Sequence, residues 1–302
     1  MITNNPCVSI IINCYNGEKY LKEALNSILN QTYENWEIIF WDNYSSDSSA
    51  KIFKNYKDKR FKYFFSEKYT SLYKARNLAI EKASCDFVAF LDTDDLWEKN
   101  KLELQMPYFD NKEIGLVFSN FWLLKDNTNK KKLYIDKSLP NGKIYNDLIN
   151  NYCVGILTTI IRKKSYQELD KIFDDRFSII GDFDLFLRLS KKYLFASIQQ
   201  PLAYYRLHDQ NYSTLNKAKE VAEFEIWAKE NKSNLSNQQI KKIQKDIDYK
   251  KFLNSKIDGK FRESINILLK SKISLFSVKN LFLLLMPVNL LKKFLWFYND
   301  SN

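Results

Sequence analysis

Residues 90–98 read FLDTDDLWE: Phe90 and Leu91 close an apolar run, and Asp92, Asp94 and Asp95 follow within four positions. Like charges held this close repel unless positive charge lies between them. A divalent cation meets that need. Magnesium and manganese are hard ions that take oxygen ligands, commonly one or two protein carboxylates together with phosphate oxygens. At the end of a strand, a D-x-D spacing points both acids to one face, because alternate residues share a side. The plainer reading makes these acids helix-start or turn residues, with Asp95 capping a helix that begins near Leu96.

The flanking sequence sets the frame for that turn. CVSIIIN (7–13), WEIIFWD (36–42), RFKYFF (60–65), DFVAFLD (86–92) and IGLVFSN (114–120) read as strands. Between them, GEKYLKEALNSILNQ carries Leu21, Ala24, Leu25 and Ile28 at helical spacing, and LYKARNLAIEKA does the same with Leu72, Ala75 and Ala79. Near-continuous apolar strands separated by helices predict a parallel sheet covered on both faces. Ligands bind such sheets beyond the carboxyl ends of the strands, and Asn13, Asp42 and Asp92 each fall at such an end. From about Phe121 to Arg206 short strands surround a helix in GDFDLFLRLSKKY (181–193). Beyond Asn216 the chain reads as polar helices, with no internal repeat.

A chain of 302 residues, 45% hydrophobic and 16% aromatic, has enough apolar side chain for a folded core and is no disordered polymer. No charged-then-apolar leader opens at Met1, where MITNNPCVS runs into a strand. Cys7, Cys14, Cys85 and Cys153 stand at no metal-type or redox-type spacing and read as reduced thiols of a cytoplasmic protein. The net charge is +11, and residues 211–302 hold 17 Lys and Arg against 9 Asp and Glu. A basic tail points to an anionic partner, unless it is simply a solvated lysine-rich face. No base-reading module is recognisable, which argues against nucleic acid. The last apolar stretch, SLFSVKNLFLLLMPVNLLKKFLWFYND (274–300), has an uncharged run well short of the roughly 20 apolar residues of a spanning helix, and Pro287 interrupts it. With Trp296, Phe297 and Tyr298 near its end, it reads as a helix at the inner-membrane surface, or as one packed on the core or a second subunit.

Several companions join the acidic turn. Asp42 ends a strand, and NYSSDSS (43–49) follows, able to turn the chain and cap a helix with Ser45, Ser46 or Asp47. Tyr15 and Asn16 lie in the first strand-to-helix turn, where an aromatic ring can stack on a nucleobase, and Arg76 can reach anionic phosphate. A strand, an aromatic-Asn turn, a strand ending in Asp, an ARN helix and a FLDxDD strand, in this order, resemble the family 2 glycosyltransferases of the GT-A fold. The resemblance covers about residues 7–210.

That resemblance implies an α/β fold, a Rossmann-like mixed sheet flanked by helices that binds nucleotide-sugar, with a helical C-terminal extension. The catalytic domain would span 1–215, with nucleotide-sugar binding in 1–120 and the acceptor side in 121–215, and the helical region would span 216–302. Asp42 would contact the nucleobase beside Tyr15, with Asn13 in the same donor site. Arg76 would face the diphosphate, and Asp92 would lie near the ribose and donor sugar. Asp94 would be the principal ligand of Mn2+ or Mg2+, joined by Asp92 and by His208, the only histidine. Asp95 would be structural. The family commonly shows Asp-Asp-Gly-Ser after the second strand, whereas Asn43 and Tyr44 stand in place of the second Asp and the Gly, which alters the turn. In GDFDLFLRL, Gly181 holds the position of the family's Glu and Asp182 matches its Asp. Asp182 would be the general base that deprotonates the acceptor hydroxyl. Asp184 is its rival, unless it is a helix-start acid. Arg188 and Arg206 read as packing or ion-pair residues. The implied reaction is metal-dependent, inverting transfer from a nucleoside-diphosphate sugar, with UDP as the nucleotide, to a hydroxyl of a glycan or lipid-linked acceptor in cell-surface polysaccharide or lipooligosaccharide synthesis. A nucleotidyltransferase or a non-catalytic membrane-bound scaffold are the alternatives. The first would want a better phosphate loop than NCYNGEKY.

Overall fold

A computed structural model describes residues 6–126, 128, 130–271, 278–291 and 294. The chain separates into two compact units, Met1–His208 and Asp209–Asn302. The division falls just after the last strand of the sheet, which ends at Leu207.

The strands of the first unit are β1 (Val8–Cys14), β2 (Trp36–Asp42), β3 (Phe61–Phe65), β4 (Phe87–Phe90), β5 (Leu96–Trp97), β6 (Ile114–Lys125), β7 (Lys130–Leu133), β8 (Ile160–Arg162) and β9 (Leu194–Leu207). They form one sheet in the order β3-β2-β1-β4-β8-β6-β9-β5, with β7 paired to β6. Its helices are α1 (Glu18–Leu29), α2 (Ser49–Lys54), α3 (Leu72–Ile80), α4 (Lys101–Gln105), α5 (Tyr145–Asn150), α6 (Lys163–Gln167) and α7 (Gly181–Ser190).

The β3-β2-β1-β4 half is parallel. Val8, Ile10, Ile11 and Ile12 of β1 are all buried, so both faces of this strand are covered, as its unbroken apolar run requires. Helix α1 turns Leu21, Ala24, Leu25 and Ile28 inward on one stripe. Burying each such leucine or isoleucine side chain contributes about 1.5–3 kcal/mol. Cys14 stands opposite Asp42, and Ile11 opposite Phe90, so the segments that leave β1, β2 and β4 emerge at one edge of the sheet.

The other half is mixed. Strand β8 runs antiparallel to β4 and β6, β9 is parallel to β6, and β5 is antiparallel to β9. Strands β6 and β9 are 12 and 14 residues long, not the short strands expected there. Register shifts around Asn120 break their apolar alternation, which hides one long strand as several short ones. Leu96 and Trp97 pair with Tyr204 and Ala203 instead of opening a helix, because Trp97 is buried and donates its Nε1–H to the Leu157 carbonyl at 2.8 Å. Asp95 therefore caps no helix at Leu96, and α4 starts only at Lys101. The reading of four reduced thiols is also corrected. Val8 stands opposite Phe87, which sets the residues before the two strands side by side, and Cys7 and Cys85 are joined as a disulfide with Cα atoms 5.1 Å apart. Cys14 and Cys153 are free and buried, and burial pushes their thiols up to about 11 and about 12.

The second unit holds α8 (Tyr212–Leu215), α9 (Lys217–Glu230), α10 (Asn237–Ile257), α11 (Phe261–Lys270) and α12 (Val278–Leu285). Ser236 and Gln239 close a capping box at the start of α10. Phe252, Leu268, Leu283, Leu284, Met286 and Leu291 form a core of their own. Leu281, Phe282, Leu285 and Leu290 stay exposed. Among the described residues no helix is long and apolar enough to cross a membrane. Trp296, Phe297 and Tyr298, the aromatic end expected at a bilayer interface, lie outside the described residues.

Lys101 is wholly buried, with its ammonium 2.7 Å from Gln105 Oε1 and 4.2 Å from the centre of the Trp97 ring. Burial holds its pKa well below the ordinary lysine value. Between that lowered value and about 10.4 the unfolded chain binds the extra proton, so this residue's contribution to stability improves as pH rises. Lys101→Met removes the titration while leaving Gln105 Oε1 without its donor. The stability of Lys101→Met relative to the native protein is therefore expected to worsen as pH rises toward about 10, by up to about 1.4 kcal/mol per pH unit. Denaturant melts across that range check it, and a difference independent of pH contradicts it.

Candidate active site

The edge where β1 and β2 end is built by two loops that satisfy each other's backbone. Asn16 N–H donates to Ser45 Oγ at 3.0 Å, and Ser46 N–H donates to Asn16 Oδ1 at 2.9 Å. One turn further, Glu18 N–H donates to Asp47 Oδ2 at 2.9 Å while Ser48 N–H donates to Glu18 Oε2 at 2.8 Å. The acids thus cap each other's helices across the gap, Asp47 serving α1 and Glu18 the start of α2. Asn16 and Tyr44 both sit in the left-handed region, at φ 53° and 73°. Tyr44 does so where the family pattern has Gly, at a steric cost of about 1–2 kcal/mol.

Asp42 has no exposed surface. Its Oδ1 accepts Ser45 N–H at 2.8 Å and its Oδ2 accepts the Tyr63 hydroxyl at 2.7 Å, so both oxygens help shape the turn. Asn43 ties down Thr70 by three hydrogen bonds, to its carbonyl, N–H and hydroxyl. Four half-exposed rings stand around this edge: Tyr15 lies 4.7 Å from Tyr69, and Tyr44 lies 6.2 Å from Phe65. The sequence places Tyr15 in the donor site and marks Tyr44 only as the residue in place of Gly. Phe65, an aromatic left facing outward where β3 ends, was a readable signal, whereas Tyr69 joins Tyr15 only through the loop that Asn43 holds. Asn13 Nδ2 is buried at the end of β1 and makes no hydrogen bond.

The three acids of the central turn part company. Asp92 takes both oxygens to Arg76 Nη2, at 2.7 and 3.0 Å. Arg76 is 2% exposed, and its guanidinium carbon lies 5.2 Å from the Tyr73 ring centre. Asp94 Oδ2 lies 2.9 Å from His208 Nε2. Asp95 is buried and accepts the Arg206 N–H at 2.9 Å, and burial together with the charges of Asp94 and Asp92 holds its carboxyl well above the usual range. Arg206, expected as a packing or ion-pair residue, forms ion pairs and also ties down the turn. Its Nε donates to the Asp94 carbonyl at 2.9 Å, and its two Nη atoms reach Asp126 at 3.2 Å and Glu23 at 2.7 Å.

Of the expected metal set, the fold joins Asp94 and His208 and turns Asp92 to Arg76. Among the described residues no three His, Cys, Asp or Glu side chains gather as a ready cation site. The pair that does meet offers one carboxylate oxygen and one imidazole nitrogen, a donor set that fits a divalent ion completing its shell with phosphate oxygens.

Asp182 opens α7. Its Oδ1 lies 3.1 Å from the Tyr73 hydroxyl and its Oδ2 3.3 Å from that of Tyr152, two partners the sequence did not reveal. Burial pushes the Asp182 carboxyl up, opposed by the Arg76 charge and by hydrogen bonds from Phe183 N–H, Tyr73 and Tyr152. Asp184 is instead bound to Arg188 Nε and Nη2, at 2.9 and 2.8 Å. The same guanidinium donates to the Lys171 and Ile172 carbonyls, so Asp184 serves the packing of α7.

A family model described as Glycosyl transferase family 2 matches residues 9–172. The Escherichia coli protein UDP-Glc:alpha-D-GlcNAc-diphosphoundecaprenol beta-1,3-glucosyltransferase WfgD is 30% identical over 242 residues, 80% of this chain and 84% of that one. TuaG of Bacillus subtilis (strain 168), described as a candidate glycosyltransferase of teichuronic acid biosynthesis, is 31% identical over 69% of this chain and 82% of its own. Among solved structures, S. aureus TarS 1–349 superposes with a TM-score of 0.60 at 20% identity, over 93% of this chain and 76% of that one. The mannosyltransferase PcManGT from Pyrobaculum calidifontis, in complex with GDP-Man and Mn2+, superposes with a TM-score of 0.64 at 12% identity, over 98% and 82%. These structural likenesses carry the GT-A fold. The family match over more than half of the chain, and the kinship with WfgD over most of both lengths, make this chain a member of glycosyltransferase family 2.

Proposed function

We propose that the chain moves a sugar from a nucleoside-diphosphate donor, a UDP-sugar, to a hydroxyl of a lipid-linked or glycan acceptor, with inversion, in cell-surface polysaccharide synthesis. One observation carries the reading. Asp182, Tyr73, Arg76 and Asp92 form a continuous chain of contacts that runs from the proposed base to the acidic turn. The donor assignment draws on WfgD, whose name specifies UDP-Glc, and on TarS, solved in complex with UDP-GlcNAc. The lipid-linked acceptor draws on the diphosphoundecaprenol in the WfgD name.

In this reading Tyr15 and Tyr69 offer faces for the nucleobase, and Asn13 offers its unused amide N–H to the donor. Arg76, paired with Asp92, sets positive charge near the diphosphate. Asp94 and His208 would hold a divalent cation, which supplies charge opposite the leaving group as the glycosidic bond breaks. Asp182 accepts the acceptor's hydroxyl proton while that oxygen bonds to the anomeric carbon. The anomeric carbon–oxygen bond to the diphosphate breaks, and its electron pair leaves with the nucleoside diphosphate. A carboxyl raised by burial is a stronger base than a surface carboxylate, which suits Asp182 to this step. A single displacement inverts the anomeric carbon and needs no second carboxylate as nucleophile.

The second unit suits a protein resting on the cytoplasmic face of the membrane. Leu281, Phe282 and Leu285 of α12 are exposed while Leu283 and Leu284 are buried, and the surplus of lysine and arginine in this part of the chain would draw it to anionic lipid.

Three outcomes test the proposal. Asp94→Asn should lose manganese-dependent release of nucleoside diphosphate from UDP-glucose or UDP-N-acetylglucosamine with its melting temperature nearly unchanged, and an active, metal-independent variant refutes the cation. Asp182→Asn should lower kcat roughly 100-fold or more with donor KM within about twofold, and native turnover disqualifies the base. Leu281→Ser with Leu285→Ser should reduce co-sedimentation with phosphatidylglycerol vesicles several-fold, and equal partitioning of variant and native protein removes the membrane contact.

A further inference from the structure

Beside Asp182 the chain departs from the family pattern in a way that has a structural counterpart. Gly181 stands where the family has Glu, and the ring of Tyr73 fills the space beside it: a Cβ at 181 would lie 2.5 Å from that ring. The same ring carries the hydroxyl that reaches Asp182. That hydroxyl has one proton and two acceptors, the Ile179 carbonyl at 2.9 Å and Asp182 Oδ1 at 3.1 Å. Tyr152 reaches the other carboxyl oxygen at 3.3 Å.

A phenol between a carbonyl and a carboxyl can serve both protonation states of the carboxyl. Against the carboxylate, the phenol donates to Oδ1. Once the carboxyl holds a proton, it donates to the phenol oxygen, and the phenol turns its own proton to the Ile179 carbonyl. The carboxyl keeps its hydrogen bond to the phenol in both states, which matters because an unpaired buried polar group costs as much as the hydrogen bond it lacks. The Tyr73 proton itself stays on the phenol, since burial and the Asp182 charge hold it well above its ordinary value. Tyr73 and Arg76 of α3, and Tyr152 from the segment after α5, face Asp182 from packed elements. On its own helix, Asp184 is tied to Arg188.

We propose that Tyr73 is a positioning residue for Asp182, its hydroxyl turning between the Ile179 carbonyl and the Asp182 carboxyl as that carboxyl gains and loses the acceptor's proton. The inference rests on the reading of Asp182 as the base. Tyr73→Phe keeps the ring beside Gly181 and removes only the hydroxyl. In protein labelled with 13C at aspartate carboxyls, the Asp182 resonance is identified by its absence from Asp182→Asn and titrated by NMR. Loss of a donor to the charged form is expected to raise its midpoint in Tyr73→Phe by about one pH unit. An unmoved or lowered midpoint overturns the proposal. Manganese-dependent nucleoside diphosphate release from UDP-N-acetylglucosamine or UDP-glucose gives the second readout. Tyr73→Phe should lower kcat roughly tenfold and shift its acid limb to higher pH, with donor KM within about twofold. Full activity in Asp182→Asn refutes the base while the NMR midpoint still reports on Tyr73. An inactive Asp182→Asn beside an unshifted Tyr73→Phe refutes Tyr73 alone.

Discussion

Three carboxylates within four positions constrain everything around them, and the fold relieves their repulsion by sending each to a separate partner. Two such charges about 4 Å apart would repel by about 4 kcal/mol near a protein surface. Asp92 goes to Arg76, Asp94 to His208, and Asp95 to the backbone N–H of Arg206. Arg76 comes from α3, whereas Arg206 and His208 come from the far end of β9, more than a hundred residues along the chain. The short pairing of β5 with β9 brings them to the turn. Leu96 and Trp97 are a strand for this reason, and the acidic turn is held by α3 and by the end of β9.

The edge formed by β1 and β2 meets a different demand. Asn16 and Tyr44 adopt backbone conformations that favour glycine, and the loops tolerate this because each supplies the hydrogen bonds the other lacks. The consequence is an edge with fixed backbone and half-exposed rings, rigid below and open above. Asp42 and Asn43 both belong to the rigid part: one anchors Ser45 and Tyr63, the other Thr70.

Asp182 and Asp184 show how surroundings divide two like residues. Both lie in the first turn of α7, yet one is hydrogen-bonded to phenols and backbone, with Arg76 acting only through its charge, while the other is neutralised by Arg188. A carboxyl partnered by neutral hydroxyls in a buried place keeps a raised proton affinity and can exchange a proton. One locked in an ion pair serves packing.

Short-range physics made much of this protein legible in its sequence. Unbroken apolar runs announce β1, β2 and β4, and helical apolar spacing announces α1, α3 and α7, because burial selects residue type at each position. The clustering of charge in FLDTDDLWE and the position of Asp182 at a helix start are likewise local. Tertiary structure alone decided the partners: Arg206 for the acidic turn, Tyr73 and Tyr152 for Asp182, Tyr69 for Tyr15, and Cys7 for Cys85. It also made Leu96 and Trp97 a strand and turned Asp92 away from Asp94. Those choices depend on contacts between residues far apart in sequence, and local pattern does not carry the register that brings them together.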